Sequence, residues 1–463
     1  MSENQKDVCE VPKPQHMGWK ELYLKEDWWA IWLSMLIIFA AIILYFSGST
    51  LKPLAITPAK WSNFGELTHH FATHYQWYLL QFIFWLVVFS ISSSIMGFKL
   101  SEFIPSFIFL YIISIIIFSI GAWKKAHHYN LEPPLVALVI GMLIANFTKL
   151  PKWMDTGFRV EYYIKTGIVL LGATLPFTLI IYAGPVAMIQ ATVIAVSTCL
   201  TVYFAATRIF KLDPRLAACL GAGASVCGVS GTIAVAGAVK AKKEYPCIAI
   251  TLVIVWAIVM IFFLPFVSKM LHLHAGIAGA WIGTSEFADA AGFAAAQAYG
   301  LMAGMEEIAV RAFTLMKVIG RDIWIGLWAF AFALISVTKW EKGDSLGQKP
   351  TPMEVWWRFP KFVIGFFAAS LIITLVVHSY PMTEYLKVVK PKLVNPIKAM
   401  RTWCFIFCFL SIGLTTRFRE LAAAGDKPFK AFTMGVVVNV ILGFIFSVLI
   451  FGHYWSTALS VVK

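Results

Sequence analysis

Glu286 and Asp289 stand three residues apart in an apolar stretch, beside Gly283, Thr284 and Ser285. On a helix that spacing makes them neighbours on one face. Two carboxylates so close in a low dielectric repel, which favours a proton or cation held between them. That is the chemistry of ion coupling. The competing reading puts the pair at the membrane surface or beside a neutralising base. In the next apolar run Lys317 and Arg321, four apart, stack two cations on one face, with Asp322 adjacent and Arg311 farther back. Something anionic must offset them, either a carboxylate from the 277–300 segment or a bound anion. Arginine suits two-pronged binding of carboxylate or sulfonate oxygens, and lysine supplies a point charge. A structural Arg321–Asp322 environment near a helix end is the alternative.

Ser225, Cys227 and Ser230 lie in Leu220–Lys243, LGAGASVCGVSGTIAVAGAVKAKK, with four glycines between Gly221 and Gly231. A lipid-facing helix would carry Leu, Ile, Val and Phe there. Small residues let backbones approach and let a helix unwind, which frees amides and hydroxyls at membrane depth. Such backbone is tolerated only where protein or a wet cavity surrounds it. A helix N-terminus at the break would attract negative charge, although each serine alone would equally bond back to its own helix. Thr415 and Thr416, followed by Arg417, close another apolar run and suit either an anion or a helix end at the headgroups. Anion donors outnumber cation ligands in this set. Ser225, Cys227, Ser230, Lys317, Arg321, Thr415 and Thr416 are therefore the candidate substrate-binding residues, and Glu286 and Asp289 the candidate ion-coupling residues. The expected solute is a small anion, with no metal and no cofactor. Cys227 beside an acid imitates a nucleophile, but no histidine in the central small-residue segments would serve as base, so an enzyme is not expected. Neither the seven cysteines nor the cluster His69, His70 and His74 has the spacing of a standard metal site. The histidines are expected in an exposed interfacial connection over 47–76.

The elements that must position these residues are membrane helices. Of 463 residues, 59% are hydrophobic and only 13% charged, with mean hydropathy +0.77, whereas a soluble domain carries about a quarter charged residues. Apolar runs long enough to cross a bilayer recur along the chain. Their continuity, without alternation, excludes a β-barrel. The net charge of +14 sits mostly in short connections between the runs, where it orients helices and meets anionic headgroups rather than nucleic acid. No cleavable leader is expected, because the first run opens near Trp28 after a mixed-charge segment. Spans are expected near 28–46, 77–97, 103–123, 133–147, 162–182, 185–207, 246–267, 308–338, 361–379, 402–416 and 431–451. The small-residue segments 216–239 and 277–300 are long enough to cross as well. Read as broken helices they mark a substrate site; close packing of unbroken helices through small residues is the alternative. The polar loop 339–360 is expected on the cytoplasmic side. Basic connections flank single spans on both sides, so orientation stays open. A faint internal echo aligns GATLPFTLIIYAG from Gly172 with GLTTRFRELAAAG from Gly413.

From Phe103 onward the chain resembles a bacterial membrane family labelled sulfate exporters. The resemblance is carried by FIPSFIFLYIISIIIFSIGAW, LVALVIGMLIANF, GIVLLGATLPF, GAGASVCGVSGTIAVAGAVKA and IGLTTRFRELAAAGDKPF, in that order. It implies a multi-pass protein of the bacterial inner membrane, similar in architecture to bile-acid and sodium–proton carriers with inverted repeats, an analogy at the level of fold. Members often place a His or Asn and then an acid after the GT opening of the second small-residue segment. Here Phe287 and Ala288 hold those positions. The expected fold is an all-α polytopic membrane protein with about 11–13 segments, two of them discontinuous, and an inverted-repeat transporter core. Residues 1–102, with two extra spans, would form an amino-terminal extension, and 103–463 the core. The expected function is secondary transport, as export of sulfate, sulfite or an organosulfonate coupled to protons or cations. A cation–proton antiporter and a passive anion channel are the alternatives. The bilayer is the other expected partner, and self-association is left open.

Overall fold

The computed structural model describes residues 18–126, 129, 131–242, 244–340, 356, 359–417 and 425–461. The amino-terminal residues with Cys9, most of the 339–360 loop and residues 418–424 of the internal echo lie outside the described residues. Among the described residues there are helices and no strand, only an isolated bridge between Trp61 and Trp123. Among the described residues, eight helices are long and apolar enough to cross a membrane, and three shorter apolar helices accompany them. The chain is an all-α, polytopic integral membrane protein.

Two compact units share it, each drawn from separate stretches. The first takes Met17–Ile180 and Lys361–Arg417. It contains α1 (Glu26–Phe46), α2 (Phe64–Ile95), α3 (Leu100–Ala122), α4 (Pro133–Phe147) and α5 (Val160–Gly172). A helix α6 (Phe177–Phe204) starts in this unit. The second unit, Ile181–Pro360 with Phe418–Val461, holds α7 (Pro214–Ser225), α8 (Gly228–Ala238), α9 (Glu244–Met270), α10 (Ala275–Ser285) and α11 (Asp289–Met302). It continues through α12 (Glu306–Thr314), a π-type turn at Leu315–Arg321 and α13 (Trp324–Ile335). Back in the first unit come α14 (Phe362–His378) and α15 (Asn395–Thr415), the latter entered by a π-type stretch at Tyr385–Val394. The second unit closes with α16 (Asp426–Phe444) and α17 (Gly452–Val461).

The connection expected over 47–76 is shorter than the sequence suggested, because a helix begins at Phe64. Asn63 Oδ1 accepts the Glu66 amide at 2.9 Å and Glu66 Oε2 accepts the Ser62 amide at 2.8 Å, a reciprocal cap that nucleates the first turn. His69, His70 and His74 therefore sit on α2, with the rings of His70 and His74 stacked at 4.6 Å. At about 1.5 Å per residue, the 32 residues of α2 exceed a hydrocarbon core of roughly 30 Å, so one end must project beyond it.

Lipid tails are as apolar as leucine, so helix association rests on close packing rather than on the hydrophobic effect. The two units solve this differently. The first interlocks rings: Trp85 stacks on Phe89 at 5.2 Å, Tyr111 on Trp403 at 5.1 Å, and Phe407 sets its edge against Trp85 and Phe107. Each such pair adds about 0.5–1.5 kcal/mol beyond its buried area. It also lets α4 and α15 touch backbone to backbone at Gly141 and Gly413, where a Cβ on Gly413 would lie 2.6 Å from the Leu138 carbonyl. The second unit packs through alanines and glycines along α7, α10 and α11, all but completely buried. That dense packing holds two interrupted helices in place.

Candidate functional site

Both small-residue segments are interrupted. In the first, Asp213 caps the Arg215 amide at 2.8 Å and Pro214 opens α7. The helix ends at Ser225, Val226 (φ −125°, ψ −132°) leaves the helical region and Cys227 (φ −84°, ψ 109°) is extended before α8 begins at Gly228. In the second, α10 ends at Ser285, and Glu286 (φ −83°, ψ 136°) and Ala288 (φ −107°, ψ 134°) are extended before Asp289 opens α11. The two breaks cross: the Gly228 amide donates to the Phe287 carbonyl at 2.8 Å. Only glycine permits that approach, since a Cβ at 228 would collide with Val253 and sit 3.2 Å from the Phe287 oxygen.

Breaking a helix inside the membrane leaves carbonyls at each C-terminal end and amides at each N-terminal end. The carbonyls are answered by two cations from the π-type turn Leu315–Arg321. Lys317 Nζ donates to Val226 O at 3.0 Å, Glu286 O at 2.9 Å and Phe287 O at 3.2 Å. Arg321 Nε donates to Ser225 O at 3.0 Å, and its Nη1 to Thr284 O at 2.6 Å and Glu286 O at 3.0 Å. Longer contacts of 3.4 Å reach Gly283 O and Ala224 O. Both side chains are wholly buried. Cations at helix C-termini offset the negative end of the dipole, and here each cation serves both broken helices at once. An ammonium has three protons to give, so Lys317 is fully engaged by carbonyls. It also stands 3.5 Å from Asp289 Oδ1.

The two N-terminal ends differ. At α11, Glu286 Oε1 accepts the Phe287 amide at 2.9 Å and the Ala288 amide at 3.3 Å, with Asp289 next in line. This end carries carboxylates of its own. At α8 the residue before the helix, Cys227, makes no side-chain cap. The Gly228 amide is taken by Phe287, while the helical pattern leaves over the amides of Val229 and Ser230, both half-buried.

The structure thus brings Ser225, Cys227, Ser230, Glu286, Asp289, Lys317 and Arg321 into the segments that form one crossing. Ser225 contributes its carbonyl to Arg321, while its hydroxyl donates back to Ala222 O at 3.3 Å. Thr415 and Thr416 belong to the first unit, where their hydroxyls bond to their own helix, at Ser411 O (2.8 Å) and Ile412 O (2.7 Å). Sequence reasoning gave Asp322 only a local role. It joins Cys227 and Asp289 in a buried group whose ligand atoms lie within 4.8 Å of one another, the one such metal-compatible trio among the described residues. Phe287 stood out only as a departure from the family pattern, because its contribution is a backbone carbonyl, which no side chain advertises.

Residues 105–431 match a family model described as Conserved hypothetical protein 698. A UPF0324 membrane protein of Rhodopirellula baltica is 28% identical over 95% of this chain and 92% of its own length. One from Nitratidesulfovibrio vulgaris is 33% identical over 76% of this chain, which spans 60% of that protein's length. Another, from Nitrosomonas europaea, is 29% identical over 86% of this chain and 90% of its own. These names say membrane protein and specify no substrate. No solved structure matches the chain.

Proposed function

This chain belongs to the family described as Conserved hypothetical protein 698, and from that footing we propose that it is a secondary transporter of a small anion coupled to a proton or cation. The observation that carries the reading is the unlike fate of the two N-terminal ends at the crossing. The α11 end has Glu286 and Asp289 beside it, with Glu286 Oε1 taking the Phe287 and Ala288 amides just before the helix, whereas α8 offers the amides of Val229 and Ser230 and the Ser230 hydroxyl and bears no carboxylate in its own first turn. Helix N-termini bind anions through free amides and the positive dipole end, and carriers with broken helices use them in this way near the bilayer midplane. Sulfate, sulfite and organosulfonates are the class proposed, moved across a bacterial cytoplasmic membrane by a carrier that performs no covalent chemistry.

Charge balance supports the coupling. Three buried carboxylates, Glu286, Asp289 and Asp322, face two buried cations, Lys317 and Arg321. One negative charge is left over, and burying it unpaired costs several kcal/mol, on the order of a lost buried ion pair. Glu286 Oε2 is buried and accepts no hydrogen bond from a described residue. A proton or small cation on this group removes the excess, and a negative charge bound at α8 tightens its hold, which ties the two fluxes together. The crossing of two interrupted helices favours an inverted-repeat core, and so does the echo, whose Gly172 closes α5 and whose Gly413 lies just before the end of α15.

The second reading is a cation–proton antiporter. It is favoured by the Cys227, Asp289 and Asp322 trio. Purified protein in liposomes separates the two. Under the first, sulfite or methanesulfonate flux follows a pH gradient and is lost in Ser230→Asp, which gives α8 a built-in carboxylate. Sodium–proton exchange abolished by Glu286→Gln, with no dependence on any anion, would overturn it in favour of the antiporter. Single-channel conductance would overturn both.

A further inference from the structure

The first unit has a break of its own. Residues 173–176 separate α5 from α6, and there, beside the end of α14, lies a cavity of about 300 Å³. That is the lower end of the range for pockets that take small organic ligands, roughly 300–1,000 Å³. Its lining combines apolar side chains, Ile373 and Val377 among them, with the hydroxyl-bearing Thr174, Thr374, Tyr380 and Tyr385. Thr178 and His378, both exposed, mark its mouth.

Two sources of positive potential lie against lining threonines. The first is the N-terminus of α6, whose Phe177 amide is held by Thr374 Oγ1 at 2.9 Å, so that this end of a 28-residue helix is fixed against the wall. The second is Arg401, wholly buried on α15, whose Nη1 donates to Thr174 Oγ1 at 2.9 Å. The Thr174 hydroxyl gives its own proton to Leu171 O at 2.9 Å, so Arg401, held in place by Thr174, acts on the cavity by its charge. No residue lining the cavity is acidic. In a low dielectric a buried guanidinium and a helix N-terminus attract an anion far more strongly than they would in water. The apolar lining would not hold a bare inorganic ion, which must stay hydrated. It suits a body of carbon.

We propose that this cavity binds an anionic amphiphile, a phosphate or sulfonate group on a short apolar body, with its head toward Thr174 and the start of α6 and its body along Ile373 and Val377. A phospholipid of the surrounding bilayer and a free organosulfonate share that chemistry. The proposal is independent of the transport reading, because every residue it uses belongs to the other unit.

Full-length protein in a neutral maltoside detergent is melted with increasing hexanesulfonate, with dioleoylphosphatidylglycerol in mixed micelles, and with hexanol as the uncharged control. The expected result is a saturable rise in Tm with at least one anionic probe and none with hexanol, since binding to the folded state stabilises by mass action. Response to the lipid alone makes the bilayer the source, and response to hexanesulfonate makes it a soluble ligand. Thr178→Trp fills the mouth from an exposed position and should weaken the midpoint at least tenfold; Thr174→Val, which cuts the link to Arg401, should do the same. Absence of a shift with both anionic probes, or a Thr178→Trp midpoint equal to wild type, overturns the proposal.

Discussion

Lys317→Met distinguishes a cation that holds the crossing together from one that holds a solute. The substitution keeps the length and apolar stem of the side chain and removes only the ammonium. It strips Val226 O, Glu286 O and Phe287 O of their shared donor and leaves Asp289 Oδ1 without the cation 3.5 Å away. Removing one partner of a buried ion pair costs about 3–5 kcal/mol. The three carbonyls add to this less than their separate values of about 1 kcal/mol each, because they are relieved together when the breaks shift. At roughly 2–4 °C per kcal/mol for a unit of a few hundred residues, Tm should fall by about 6–20 °C. Adding Asp289→Asn removes the stranded charge, so the double variant should melt above Lys317→Met alone. The assay is intrinsic-fluorescence melting in detergent for all four members of the cycle, with anion flux normalised to folded protein. A Lys317→Met variant that melts with the wild type yet carries no flux would refute the reasoning, because the lysine would then act on the solute and not on the broken helices.

Ser230→Asp should reduce anion flux at least tenfold, and because it adds a carboxylate beside Asp289 and Asp322 its Tm should not rise above wild type; a melt and a tracer assay on the same preparation check both. Gly413→Ala places a Cβ 2.6 Å from Leu138 O and 2.8 Å from Gly141 Cα, and should cost about 1–3 kcal/mol as overpacking, read as a lower melting temperature. The Asp155 carboxyl, in the turn before α5, is held above the usual carboxylate range by burial, with Arg417 opposing through bonds of 2.8 and 2.9 Å. Removing that opposition with Arg417→Met raises it further. A carboxyl whose folded-state pKa lies above its unfolded value stabilises at low pH and loses that contribution as pH rises through the folded value. Arg417→Met should therefore lose more Tm at neutral pH than in acid below the carboxyl's titration, and a loss independent of pH across a full acid-to-neutral series would contradict the assignment.

Much of the membrane architecture was legible because lipid imposes it residue by residue. Where a span must be apolar for its whole length, hydropathy alone locates it, as with Glu26–Phe46 and Leu100–Ala122. The small-residue segments were equally visible, since a stretch without bulk in a chain of this kind has few uses. Boundaries were less legible where local chemistry competed with hydropathy. The helix start at Phe64 depends on the Asn63–Glu66 cap, which a hydropathy scan passes over. Arg401 fell one residue outside the span read as 402–416, because a cation there looks like an end until the fold buries it.

By itself the sequence determined which residue types had to be shielded from lipid: Glu286, Asp289, Lys317 and Arg321 could not face hydrocarbon, although Glu286 lies in the extended break and shares no helix face with Asp289. The sequence could not determine what they would bind. Lys317 and Arg321 read equally well as ligands for a solute, and only the crossing, through Gly228 and Phe287, presents them with carbonyls from two helices. The same holds for the starts of α8 and α11, the second with Glu286 and Asp289 beside it and the first with none in its own first turn. The physical reason is that free backbone groups at a helix break carry no side-chain signature. Where they point, and which charge reaches them first, is set by how distant segments pack.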